Sequence, residues 1–564
     1  MRHFCHYPTA LLAAMMALLA LAGCAPSAAT GEQPLTQEIR LPAGESPARF
    51  VEAGFLTEQV GTLSSDSLKG RGTGQPGSAM TADYLESFYS SLSIPDNEPT
   101  SVQRQPFELE GIFWDSVHYE VYAVEAGDTL FHSRSYLEKG GLAHFYPLLD
   151  GARDHDAPVV FAGHARFDDG DEISGTIGAA LRNNWVMVFA PDPEDNRSRT
   201  GIVRELNRNY GALGVVFITD HDPGEWELKA EEMSRQLERP RMIRRPGERY
   251  RASERRIAPA VSIHPELASG ILGLSHPEDL DSLRYYWQQD ASFRLPEHTG
   301  FRLRNTPVLA SRSFEEHNII AVIPGADENL SREAIVLSAH YDHMGLGEPD
   351  ESDDIVYSGA DDNASGTAAL MQVARAFHDA ALEGYRPSRT LVFLHVAAEE
   401  WGLFGSRYFM ENQPLPHLEI VSNLNVDMVG YVDDVYARRE EQGYVYVIGA
   451  GMVSTLLEEL VLLANEATSD LILDEMYNST SHYLQLYRRS DHWPFAQRNI
   501  PFVFFFSGLH EHYHRPSDTA DRIAGALLAD RVRLITELTW YLAESPVRPE
   551  TDRKKLGTQP VPAR

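Results

Sequence analysis

The sequence predicts an α/β protein, a mainly parallel mixed sheet flanked by helices with an inserted, mostly β domain. Three observations lead there. From 315 to 545, apolar runs such as AIVLSAH, TLVFLHV and PFVFFFSG alternate with helical segments, the rhythm of strands joined by helical crossovers. From about 112 to 290 the texture changes to short β-like runs parted by turn residues, among them VHYEVYAV, NNWVMVFA and APAVSIHP, as in a mostly β unit. Finally, several of the later strands release carboxylate and imidazole side chains just past their carboxyl ends, where an open parallel sheet forms its binding crevice.

The elements follow in order. Arg2 and His3 precede an apolar core, Ala10 to Ala22, too short to span a bilayer stably, so residues 1–23 are expected to be a cleavable export signal. Leu21, Ala22, Gly23 and Cys24 resemble the bacterial lipobox, which implies a lipid on Cys24 and membrane attachment through it. Ordinary export with an incidental cysteine is the alternative. Cys5 falls in the segment to be removed, so no intramolecular disulfide is expected. Ala25 lacks the aspartate associated with inner-membrane retention, and the expected location is a cell-envelope lipoprotein, outer-membrane or periplasm-facing. Residues 24–47 are small, polar and Pro-containing, as in a flexible tether. Residues 48–111 hold two helical patterns around the glycine-rich SLKGRGTGQPGS.

Residues 112–290 form the insertion, with helical material expected around 200–212 and 224–238. Its basic island RPRMIRRPGERYRASERR, residues 239–256, contains Tyr250 as its one aromatic; a solvated loop and an anion-binding patch both remain open. In the strand–helix part, 291–545, the segment SGTAALMQVARAFHDAAL places Leu370, Val373, Ala374 and Phe377 on one helical face. The helix ADRVRLITELTWYLAE closes the fold, and 546–564 is expected to be a disordered tail. A chain of 564 residues, 43% hydrophobic and 23% charged, is globular in composition and long enough for two or three domains. Its formal charge of -33 argues against a nucleic-acid binder, because phosphate contacts need a basic surface.

The polar residues at the strand ends carry the chemistry: His340 and Asp342, the pair Asp361 and Asp362, Glu399 and Glu400, Asp427, and His514. Imidazoles and carboxylates without thiolates suit a catalytic divalent ion. More candidates than one ion needs suggest two ions sharing a carboxylate. Each residue alone has a plainer reading. Asp361 or Asp362 could cap the following helix, the paired glutamates could be solvated turn residues, and His514 a surface histidine; His343, His492, His510 and His512 are not required as ligands.

Taken in order, HYDH, GADDNASG, AAEEWGLFGS, NVDMVG and YHRPSDT resemble the two-zinc exopeptidases of metallopeptidase family twenty-eight, over about residues 320 to 545. The SLKGRGTGQPGS stretch is similar to an early part of that catalytic domain, and the β-rich middle, more weakly, to the protease-associated domain often inserted there. The resemblance implies the zinc-exopeptidase fold, a three-layer sandwich, and two Zn2+ ions. It implies Asp361 as the bridge, His340 and Asp427 completing one site, and Glu400 and His514 the other. Glu399 would be the general base, and Asp342 would hold the second nitrogen of His340. Tyr487 would face the oxyanion, with Tyr513 as the alternative donor. An aminopeptidase acting on peptides is the implied activity. Relatives that act as carboxypeptidases or glutaminyl cyclases, and non-catalytic binding proteins on the same fold, are the rival readings; Arg488 and Arg489 keep the carboxypeptidase open.

Overall fold

The computed structural model describes residues 42, 44–92, 101–123, 129–132, 145–149, 154–165, 177–191, 198–219, 226, 240, 242–247, 258–289, 296–347, 354–439 and 442–557. The expected export signal, Cys24 and most of the tether lie outside them. Among the described residues, no helix is long and apolar enough to cross a membrane.

Fifteen strands of the described residues join in one sheet. One end of it is built on four parallel strands in the order Phe502–Phe506, Glu419–Val426, Glu333–His340 and Thr390–Val396. Tyr444–Ile448 runs antiparallel beyond the first and Glu297–Ile323 antiparallel beyond the last. Every residue of Thr390–Val396 and Phe502–Phe506 is buried. That explains their largely apolar runs, broken only by the buried Thr390 and His395: a strand covered on both faces has no solvent side to alternate with. Val336, Val392, Leu394 and Val396 pack with Phe409, Met410 and Phe495 from the helices Phe404–Glu411 and Trp493–Ala496. The helix Gly366–Leu382 packs on Glu333–His340 and against the helices Ala53–Leu63 and Gly525–Glu544. Each large aliphatic or aromatic side chain buried in this way contributes about 1.5–3 kcal/mol.

The insertion is not set apart from this sheet. Ser101–Ala123 pairs antiparallel with Glu297–Ile323 from Ser101 opposite Val322 to Ala123 opposite Phe301, with one irregularity between Trp114 and Ser116. From there the sheet continues through His155–Phe161 into three more parallel strands, Trp185–Phe189, Gly214–Ile218 and Ala260–Ile263. The helical material expected around 200–212 is the helix Arg199–Tyr210, and the described helices of this region cover its strands. Val186, Val188, Val215 and Phe217 pack with Ile202, Val203 and Leu206 of the helix Arg199–Tyr210. Trp185, Met187, Val216 and Ile218 pack with Leu267, Ile271 and Leu280 of two further helices. Alternate residues of one strand thus meet two helical layers, the pattern of a small α/β sandwich. The expected helix at 224–238 lies outside the described residues apart from Trp226. Of the basic island, Arg244 lies 2.8 Å from Glu110 and Arg245 2.7 Å from Glu411, so these charges are paired.

The tail is ordered further than expected. Leu556 is buried in the cluster that holds Trp493 and Phe504, and Arg553 pairs with Glu458 at 2.7 Å. An apolar anchor and a buttressing ion pair hold a segment whose composition alone suggested disorder.

Candidate metal centre and active site

The four central parallel strands deliver their polar residues to one rim. His340 ends its own strand, Glu399 and Glu400 follow Val396, Asp427 follows Val426, and the loop after Phe506 carries His514. Asp361 and Asp362 enter from the turn ahead of the helix Gly366–Leu382.

Two donor triads result. His340 Nε2 lies 3.3 Å from Asp362 Oδ1 and 3.3 Å from Asp427 Oδ1. His514 Nε2 lies 3.1 Å from Asp362 Oδ2 and 3.1 Å from Glu400 Oε2. Asp362 therefore offers one oxygen to each. Bonds of about 2.0 Å to a tetrahedral ion put ligand atoms about 3.3 Å apart, and these four distances lie close to that spacing. His514 Nε2 is enclosed and makes no hydrogen bond, leaving its lone pair free for an ion. The residues present fit a pair of divalent cations of zinc type.

The carboxylate placed between the triads is Asp362, where the family resemblance was carried onto Asp361. Asp361 turns away: its Oδ1 accepts the Gly430 N–H at 2.6 Å and the Ser365 hydroxyl at 3.1 Å, and His510 Nε2 lies 3.2 Å from its Oδ2. Neither aspartate caps the helix. Asn363 does, accepting the Gly366 N–H at 2.9 Å, and the cis peptide bond of this turn joins Asp362 to Asn363. Backbone N–H groups of both Asp361 and Asp362 donate to Asp518, at 3.0 and 3.1 Å.

The surroundings of the triads are organised. His340 Nδ1 donates to the main-chain carbonyl of Asp342 at 3.0 Å, while the Asp342 carboxylate is 3.9 Å away. That carboxylate instead accepts the Glu399 N–H at 3.1 Å and the Thr73 hydroxyl at 2.9 Å. Asp342 thus orients His340 through its backbone and the glutamate turn through its side chain. Asp427 Oδ2 accepts the Ser490 hydroxyl at 2.7 Å. His343, which the motifs did not call for, sits fully buried with Nδ1 2.9 Å from Glu400 Oε1, the oxygen that does not face His514. The HYDH spacing carried that signal, since His343 is three residues past His340.

Crowded carboxylates in a buried rim shift one another. Burial, then the neighbouring Asp491, Glu400 and Asp427, push Glu399 well up, against the opposing pull of His340. Burial would also raise Asp362, but His343, His340 and His514 outweigh it and hold it well below the usual carboxylate range. Burial lifts Asp342 to about 6, with His340 opposing.

Glu399 lines a cleft with His340, Asp362, Glu400, Asp427 and Tyr513. The cleft's apolar wall includes Leu486, Phe504 and Leu509, and Arg489 stands at its edge. Tyr513 stacks on His514 at 3.8 Å between ring centroids. Tyr487 does not line the cleft. Its ring packs edge-on to Trp493 within the apolar cluster, because the short turn Leu486–Arg488 presents Leu486 rather than Tyr487 to the cleft. Of the other histidines, His492 is sandwiched on Phe502 and Phe504, each 4.8 Å away, and His512 Nδ1 lies 3.0 Å from the Ser517 hydroxyl.

Comparison with known proteins finds similarity over the same region. Residues 318–539 match the model of Peptidase family M28. The "Probable aminopeptidase YDR415C" of Saccharomyces cerevisiae is 26% identical over 229 residues, 40% of this chain and 56% of that protein. Leupeptin-inactivating enzyme 1 of Streptomyces exfoliatus is 30% identical over 199 residues, 34% of this chain and 36% of its own length. The chain thus spans little more than half the length of the first of these curated relatives. Among solved structures, the zinc aminopeptidase BSAP from Bacillus subtilis aligns at 17% identity and TM-score 0.48, covering 87% of this chain and 95% of its own.

Proposed function

We propose that the chain is a two-zinc aminopeptidase that removes N-terminal residues from peptides, a reading supported by the match of residues 318–539 to the model of Peptidase family M28. The observation that carries this reading is the division of Asp362 between two triads, Oδ1 toward His340 and Oδ2 toward His514, with Glu399 beside them in an open cleft. Bound there, the ions would supply an acidified water and polarise the scissile carbonyl.

The chain's own residues do the rest. His340 and Asp427 would hold one ion and Glu400 and His514 the other, with Asp362 offering an oxygen to each. Glu399, which lines the cleft beside the triads, is the base of the glutamate pair; its carboxylate takes a proton from the attacking water and returns it to the departing amine. The Tyr513 hydroxyl donates to the developing oxyanion. The apolar wall of Leu486, Phe504 and Leu509 excludes water and favours an uncharged first side chain. Export, and anchoring through lipidated Cys24, belong to the same proposal and rest on the N-terminal leader and its LAGC tetrapeptide.

A second reading keeps one observation in its favour. Arg489 borders the cleft and would suit a substrate carboxylate, as a carboxypeptidase requires. A panel of free, N-acetylated and C-amidated peptides separates the two. Cleavage of free and amidated peptides with sparing of acetylated ones is expected; cleavage of acetylated but not amidated peptides would replace the aminopeptidase with the carboxypeptidase.

A further inference from the structure

The turn between the helices Ala53–Leu63 and Pro76–Ser91 supplies no donor to either triad and precedes the residues matched to the family. Resting on the two-ion reading above, we propose that Arg71 and Thr73 of this turn are positioning residues, a brace that sets the loops of His340 and Asp362 in register before the ions arrive.

Arg71 is 1% exposed, and all five of its N–H donors are spent on main-chain carbonyls. Nε donates to Tyr341 at 2.8 Å. Nη1 reaches Leu63 at 2.6 Å and Ser358 at 2.7 Å. Nη2 reaches Gly359 at 2.8 Å and Asp362 at 3.3 Å. One rigid fork thereby ties the residue after His340 to the shared aspartate itself, which a lysine with three donors at a single point could not do. Thr73 donates to Asp342 Oδ2 at 2.9 Å, and the Arg71 carbonyl accepts the His343 N–H at 3.3 Å. The same short segment thus touches Tyr341, Asp342 and His343 in succession.

The backbone is bent to allow this. Lys69, Gly70 and Arg71 all lie in the left-handed region, at φ 50°, 63° and 53°, a conformation that persists only where its surroundings overdetermine it. A Cβ on Gly70 would stand 2.5 Å from the carbonyl oxygens of Gly345 and Tyr357, so the turn presses directly on the metal loops. Burying a cation is costly, and burial lowers the Arg71 guanidinium to about 10; the charges of Asp362, Asp518, Asp342 and Glu400 oppose that shift and offset part of the cost. In return, the cation eases the repulsion among carboxylates that await their ions.

The test uses the full chain with Arg71→Ala, Arg71→Lys and Thr73→Val. Folding is checked by thermal melting, Zn2+ affinity by chelator competition, and ligand geometry by the visible spectrum of the Co2+-loaded protein. A 10- to 100-fold weaker affinity is expected for Arg71→Ala, the range typical of outer-shell partners, with a changed Co2+ spectrum and partial rescue by added guanidinium but not by Arg71→Lys. Thr73→Val should weaken one ion more than the other. Folded variants that bind both ions with native affinity and spectrum would overturn the brace. Should both Arg71 variants fail to fold, Thr73→Val alone decides on the same readouts. A native protein that takes up fewer than two ions would instead strike the two-ion reading, and the brace with it.

Discussion

Two adjacent glutamates, Glu399 and Glu400, meet different partners because the turn after Val396 sends them apart. Glu400 is held by His343 and His514, while Glu399 has its backbone N–H fixed by Asp342 and its carboxylate toward the cleft. Glu399→Gln should therefore retain both ions and still bind substrate, while kcat falls by at least the roughly 10²- to 10⁴-fold that general acid–base assistance supplies. Metal content and steady-state kinetics check this. Lost zinc would mean that the roles of the two glutamates are exchanged. Residue types and order of the site were legible in the sequence; which of two neighbouring aspartates faces the ions was not. Asp361 and Asp362 are the same residue type one position apart, and the choice depends on the Gly430 N–H and His510, partners distant in the chain.

At the scale of elements, the placement of donors at strand ends could be read in advance, because parallel strands open a crevice at their carboxyl ends. The tyrosine choice could not: whether Tyr487 or Tyr513 reaches the cleft turns on how a short helical turn packs against Trp493. The glycine-rich turn looked like a plain loop for the same reason, since its partners lie some 270 residues away in Tyr341 and Asp342. It also has a measurable effect on stability. Glu316, on the strand Glu297–Ile323, accepts the Gly74 N–H and the Ser78 hydroxyl, both at 2.6 Å. Burial raises its carboxyl to about 7, with those two hydrogen bonds opposing. A carboxyl raised in the folded state keeps its proton while the unfolded chain loses it, so stability is full below the ordinary glutamate range and is lost as pH rises toward 7. Relative to Glu316→Gln, the native protein should lose about 3 kcal/mol between pH 4 and pH 8, read by denaturant melts of both proteins. A difference that stays flat or grows with pH would contradict the burial of this group.

For the whole molecule, one sheet carries both the catalytic strands and the insertion. The two regions were distinct in sequence texture, but their continuity was not legible, because the pairing of Ser101–Ala123 with Glu297–Ile323 joins segments separated by the entire insertion. Likewise the ordered tail depends on a pocket for Leu556 formed by residues far upstream. The convergence of four strand ends and one helix turn on a shared carboxylate makes Asp362 the point at which the whole arrangement can be probed. The direct measurement is the zinc content of the purified native chain beside Asp362→Ala and Asp361→Ala. Two ions per native chain, none retained by Asp362→Ala after brief chelation, and two retained by folded Asp361→Ala are the results expected. Loss of both ions from Asp361→Ala with retention in Asp362→Ala would contradict the site described here.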